Sequence, residues 1–134
     1  MDEVIAELRG LNESVPRPLR RPGEEEIEAV EKELGVVFHP DYRQYLLEAS
    51  DVVYGALEPA TIPADSGHTY LVPLAKEAWA TGVPRDFVPI AEDNGDYYCM
   101  NKDGRVLFWS HNGATDEEWP NLARWIHEVW ISGN

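Results

Sequence analysis

The sequence predicts an α+β fold: a central antiparallel or mixed sheet laid out as a meander, flanked by N-terminal helices and a closing C-terminal helix. Three observations carry this. Apolar stripes at helical spacing fill much of the first fifty residues. Three apolar runs separated by short turn clusters occupy Phe87 to His111. A last helical stripe, Leu122, Trp125, Ile126 and Val129, closes the chain. Helices grouped around the strands, and not alternating with them, argue for α+β layering and against parallel βαβ units.

Val4, Ile5, Leu8 and Leu11 recur at i, i+1, i+4, i+7, which predicts a short amphipathic helix. Pro16, Pro18 and Pro22 then forbid helix and make the Arg17–Arg21 stretch an extended connector. Its arginines have no basic neighbours and an acidic body beside them, so a solvated linker fits better than a nucleic-acid patch. The chain accordingly divides into residues 1–21, an N-terminal helix with a Pro/Arg-rich connector, and residues 22–134, a single globular unit.

Glu24–Leu34 reads as a helix with acids in its first turn, a stripe of Ile27, Val30 and Leu34, and a stop at Gly35. An extended Val36–Phe38 leads to Pro40, which suits the first turn of a second helix reaching about Ala49. There Tyr42, Tyr45, Leu46 and Ala49 share the inward face. Residues 50–66 read as irregular, with a short strand within Leu57–Ile62 as the alternative. His68–Leu74 reads as a strand, and Ala75–Ala80 as a short helix closed by Gly82 and Pro84.

The meander comprises Phe87–Ala91, Asp96–Asn101 and Arg105–Ser110. Aromatic and β-branched residues fill these runs, and Asn94-Gly95 and Gly104 supply the tight turns between them. Thr115-Asp116-Glu117-Glu118 matches a capping box for one helical turn ahead of Trp119-Pro120. Asn121 caps the final helix, whose Trp125 and Ile126 should pack on the meander.

At 134 residues the chain is long enough for a core without metal or disulfide staples. A hydrophobic content of 43% excludes wholesale disorder. Cys99 is the sole cysteine, so no intrachain disulfide is possible, and its apolar strand predicts a buried, inert thiol. The acidic start lacks a signal-like apolar run, and no window approaches the ~18 apolar residues of a membrane span, so a cytoplasmic protein is expected. The formal charge is −14. Residues 1–21 hold four acids and four bases; residues 22–134 hold 21 acids and seven bases. Such a body repels nucleic acid and anionic lipid and attracts basic proteins, although acidity can equally serve solubility.

Chemistry-bearing patterns are sparse. Asp93-Asn94-Gly95-Asp96 clusters oxygen ligands but lacks the spacing of a calcium loop, and an Asn-Gly turn accounts for it. His39, His68, His111 and His127 form no metal-binding pair pattern, and one cysteine cannot build a structural zinc site. Cys99 and His111 are conceivable as a dyad, but Cys99 between Tyr98 and Met100 reads as core. No nucleophile elbow or phosphate-binding glycine loop occurs. The expectation is a chain with no catalytic, metal or cofactor residues.

Along the Glu24–Leu34 helix and its stop stand Glu26, Ile27, Glu31-Lys32 and Leu34-Gly35, followed by Phe38-His39-Pro40-Asp41-Tyr42-Arg43 and Tyr45-Leu46. After them come Phe87-Val88-Pro89-Ile90-Ala91, Asn94-Gly95-Asp96-Tyr97-Tyr98-Cys99, Val106 with Trp109 and His111, and the terminal Trp–Ile pair. In this order, over residues 22–131, the chain resembles the SUKH superfamily of fungal cell-wall assembly regulators and bacterial immunity proteins. One departure is Ser50-Asp51-Val52, where the family often shows Asn-Gly. The resemblance implies an α+β fold. It also implies a non-catalytic protein-binding role, commonly neutralisation of a cognate toxin, often a nuclease. A regulatory or scaffolding module with a non-toxin partner is the alternative, and an enzyme comes third. Asp51, Tyr54, Glu58, Glu92, Asp93 and Asp96 are the candidate partner-binding residues, the expected partner being a protein with a basic face. Neither nucleic acid nor membrane is expected to bind directly.

Overall fold

The computed structural model describes residues 1–133, the side chain of Ala114 aside, and the last residue of the expected 22–134 unit, Asn134, lies outside them. Five helices and a four-stranded antiparallel sheet follow one another as α1 (Asp2–Gly10), α2 (Glu24–Leu34), α3 (Pro40–Ala49), α4 (Leu71–Ala80), β1 (Phe87–Asp93), β2 (Asp96–Asn101), β3 (Val106–Ser110), β4 (Gly113–Trp119) and α5 (Leu122–Trp125). The sheet order is β1-β2-β3-β4, a plain meander.

Local chemistry explains the helix ends. Gly35 closes α2 at φ 70°, and Glu26 turns back on the Gly23 N–H at 3.1 Å to hold its start. His39 caps α3 by accepting the Asp41 N–H on Nδ1 at 3.1 Å, and Pro40 occupies the first turn. Arg43 of α3 reaches Glu24 and Glu31 of α2 at 3.0 Å each, fastening the two helices. Val4, Ile5 and Leu8 of α1 enter the same core as α2, α3 and the sheet.

The sheet has two faces because neighbouring strand residues point opposite ways. Val88, Met100, Val106 and Trp119 form one cross-strand ladder that packs on the helical layer, together with Ile90, Trp125, Ile126 and Trp130. On the other face Tyr97 and Cys99 pack with Ala78 and Val83 in a smaller cluster. The expected contact of the last helix with the meander is present: Trp125 lies 5.3 Å from Tyr98, ring centre to ring centre.

Three elements differ from the sequence reading. His68–Leu74 is not a strand. Gly67–Thr69 forms a 3₁₀ turn, and α4 begins at Leu71. Only Tyr70 pairs, in a single bridge with Thr61. Leu71, Val72, Ala75 and Ala78 are buried at helical spacing, and Pro73 falls in the first turn, where a missing N–H costs nothing. Thr115–Glu118 is not a capped helical turn but part of β4. The Thr115 hydroxyl donates to the Phe108 carbonyl at 2.7 Å and accepts the Glu117 N–H at 3.2 Å, so it serves the irregular β3–β4 pairing. Within Leu57–Ile62 the pairing is limited to isolated bridges, Pro59 with Ala91 and Thr61 with Tyr70.

The final helix begins where expected, with Asn121 Oδ1 accepting the Arg124 N–H at 2.8 Å. Beyond Trp125 it widens into a π-helical stretch, Ile126–Ile131. Residues five apart share a face in that winding, so Trp125 and Trp130 are both buried while Val129 is only half-buried.

Candidate partner-recognition site

The β1–β2 hairpin tip is an Asn-Gly turn in which both residues take positive φ, Asn94 at 53° and Gly95 at 89°. That geometry turns Glu92 and Asp93 outward at the end of β1. Alongside runs the irregular 56–61 segment. It is held to β1 by the Pro59–Ala91 bridge and by the Ala60 N–H, which donates to the Ile90 carbonyl at 2.8 Å. The segment thereby brings Glu58 to the same edge.

Between them opens a cleft of about 380 Å³, walled by Leu57, Glu58, Glu92, Asp93, Asn94 and Tyr98, with Val129 completing it. Tyr98 is fixed from three sides, with ring centres of Phe108, Trp125 and Trp119 at 4.8, 5.3 and 5.8 Å. Burial pushes its hydroxyl pKa up, and the carboxylates of Asp93, Glu117 and Asp96 push it further. A rigid aromatic under a ring of acids suits the aliphatic stem and charged head of a Lys or Arg side chain.

Of the six residues expected here from the sequence, the cleft gathers Glu58, Glu92 and Asp93. Glu58 also pairs with His68. Asp96 lies on the same hairpin, but its carboxylate takes both the backbone N–H and Nδ1 of His111, at 2.8 and 2.9 Å, which holds its pKa below the usual range. Asp51 is elsewhere and engaged, bound by Arg9 at 2.7 Å with Arg21 at 3.9 Å. Tyr54 is half-buried, its carbonyl accepting the Trp130 indole N–H at 3.0 Å. Leu57, Asn94, Tyr98 and Val129 were not anticipated as site residues. Tyr98 reads as strand core and Asn94 as a turn residue, and nothing local in the sequence marks Leu57 or Val129.

Cys99 is buried, and burial pushes its thiol up to about 12, the opposite of an activated nucleophile. It faces Leu107 across the sheet, while His111 belongs to Asp96. Among the described residues no three His, Cys, Asp or Glu side chains stand together as a metal site would require. No described helix is long and apolar enough to cross a membrane.

The architecture defines an α+β domain whose helical layer covers one face of a four-stranded meander and whose hairpin tip carries an acidic, aromatic-floored cleft. The chain belongs to the SUKH family described as SMI1-KNR4 cell-wall, whose model matches residues 1–131. That match takes in α1 and the connector as well as the 22–131 stretch that carries the motifs. A crystal structure of a protein from Pseudomonas syringae pv. tomato is 42% identical, covering 98% of this chain and 99% of its own, with a TM-score of 0.93. Comparison with curated proteins gives no match.

Proposed function

We propose that this chain is a non-catalytic recognition protein that captures a protein partner with a basic contact face. We propose further that it acts as an immunity protein against a bacterial toxin, a nuclease being the toxin class its acidity suits best. The observation that carries this is the convergence of Glu58, Glu92 and Asp93 on one cleft floored by Tyr98, with no Lys or Arg on its walls. Family membership supports a protein-binding role over an enzymatic one. A nucleic-acid-handling toxin presents a basic surface to its substrate, and an acidic cover would compete for that surface. The cell-wall description of the family favours, as second reading, an interaction module with a non-toxin partner.

The test is stopped-flow association with the purified product of the neighbouring reading frame across a salt series. Association should slow by about tenfold or more between low and moderate salt, with dissociation changing less. A Glu58→Gln, Glu92→Gln, Asp93→Asn triple variant should associate more slowly and keep its unfolding midpoint. Salt-independent association, or none, would count against the charge-steered reading. Binding without inhibition of a toxic activity would favour the second reading.

A further inference from the structure

At the opposite end of β1 from the acidic cleft, a smaller cavity of about 200 Å³ lies between the α2–α3 loop and the β2 end of the sheet. Its walls are apolar: Val36, Val37, Phe38, Val88 and Met100. Val37 stands at its rim, 83% exposed, the one large apolar side chain so exposed among the described residues. Tyr42 belongs to the same wall, 2% exposed, and its hydroxyl has no hydrogen-bond partner among the described residues. A buried hydroxyl without a partner is uncommon, and it marks the wall as polar capacity not used by the fold.

The charge here is the reverse of the body's. Arg43, Lys76 and Arg124 are each tied to carboxylates. Arg85 and Lys102, which border this cavity, are not among the ion pairs of the described residues. Arg85 lies 3.8 Å over the Trp79 ring and donates to the Leu34 carbonyl at 3.1 Å, which fixes its position and leaves its charge uncompensated. Lys102 has no ion-pair partner among the described residues either. Asp86 is the single acid on the lining, so the mouth is net positive in a chain of net −14.

We infer that this cavity is a second recognition site, and that it takes a peptide segment of a protein partner in which an aliphatic side chain is followed by a carboxylate. The volume is below the ~300–1,000 Å³ of small-molecule sites and suits one aliphatic residue. The apolar walls take the side chain, and Arg85 and Lys102 meet the carboxylate, whether it ends the peptide or belongs to a following Asp or Glu. This site does not depend on the toxin reading, since it lies at the opposite end of the sheet and carries the opposite charge.

The experiment is amide NMR of the full chain titrated with three probes: N-acetyl-leucine, N-acetyl-leucyl-aspartyl amide and N-acetyl-leucinamide. At millimolar concentration at least one carboxylate probe should shift the amides of Val37, Phe38, Asn101 and Lys102, and the comparison between the two tells a chain terminus from a side-chain acid. The neutral amide should bind about two- to fivefold more weakly, the scale of an exposed ion pair. The Lys102 side chain makes no hydrogen bond or ion pair among the described residues, so Lys102→Glu should keep the fold and weaken the preferred probe to a similar degree. Absence of shifts at these amides, equal binding of the neutral probe, or an unchanged affinity in Lys102→Glu would each overturn the proposal.

Discussion

The carboxylate of Asp96 holds His111 twice, through its backbone N–H at 2.8 Å and its ring Nδ1 at 2.9 Å. Asp96 opens β2 and His111 opens the β3–β4 turn, so one side chain ties the recognition hairpin to the outer strand pair. The His111 hydrogen bonds depress the pKa of Asp96. Its folded value is therefore the lower one. The contribution is in place above the unfolded value of about 3.9 and fades as pH falls through the depressed value. Hydrogen exchange should show His111–Gly113 protected at neutral pH and released by strong acid or by Asp96→Ala. Equal protection in the variant at neutral pH would remove the clamp.

Asp51 reads as a recognition acid, but the structure assigns its charge to Arg9, with a second contact from Arg21. Arg9 also donates to the Glu48 carbonyl at 3.0 Å, so it bridges α1 to the end of α3. A double-mutant cycle of Arg9→Gln and Asp51→Asn should give a coupling of about 0.2–1 kcal/mol, the range for a solvent-screened pair. Asp51→Asn should also leave the salt dependence of partner association unchanged, whereas the Glu58, Glu92 and Asp93 changes alter it. Slower association in Asp51→Asn with no loss of stability would return this residue to the recognition surface.

Tyr42 and Trp125 are buried side chains whose polar atoms lack partners among the described residues. They should respond differently to substitution. Tyr42→Phe keeps the edge contact with Phe38, at 5.2 Å between ring centres, and removes a hydroxyl that gains nothing in the fold. It should be neutral or stabilising by up to about 1 kcal/mol. Trp125→Ala deletes a ring packed against Tyr98 and should cost about 3–5 kcal/mol. Urea unfolding measures both. A Tyr42→Phe variant destabilised by more than 1 kcal/mol would mean that its hydroxyl is satisfied in solution.

The legible parts of this fold are those whose signals are local. Asn94-Gly95 announces the hairpin because type I′ geometry needs positive φ at both positions, and the stripes of α2 and α3 come with their own boundaries, a stop for α2 at Gly35 and a start for α3 at Pro40. The fourth strand was hidden because Gly113–Trp119 is an edge strand, GATDEEW, whose Asp116, Glu117 and Glu118 are exposed; edge strands are selected for such charges. The start of α4 was hidden because Leu71-Val72-Pro73 reads as strand by propensity, and only burial on the sheet decides for helix. In the acidic cleft, the charges of Glu58 and Glu92 were legible. Their meeting was not, since it depends on the pairing of Pro59 with Ala91. Nor was the loss of Asp51 to Arg9, 42 residues away.

Gly104 offers a test of how the β2–β3 turn seats on α3. Its φ is +90°, and a Cβ there would stand 2.9 Å from Nε2 of His39, the residue that caps α3. Gly104→Ala therefore carries two penalties. Positive φ in a residue with a Cβ costs on the order of 1–3 kcal/mol. The clash either displaces His39, loosening the cap on the Asp41 N–H, or moves the turn. The two penalties separate in a His39→Ala background, where only the backbone cost remains. Gly104→Ala should then be less destabilising than in the native chain, although His39→Ala alone costs about 0.5–1.5 kcal/mol through the lost hydrogen bond. Chemical denaturation of the two single variants and the double variant gives the coupling directly. Strict additivity would mean that the turn does not rest on His39, and that the meander is seated on the helical layer by the Val88–Met100–Val106 ladder alone.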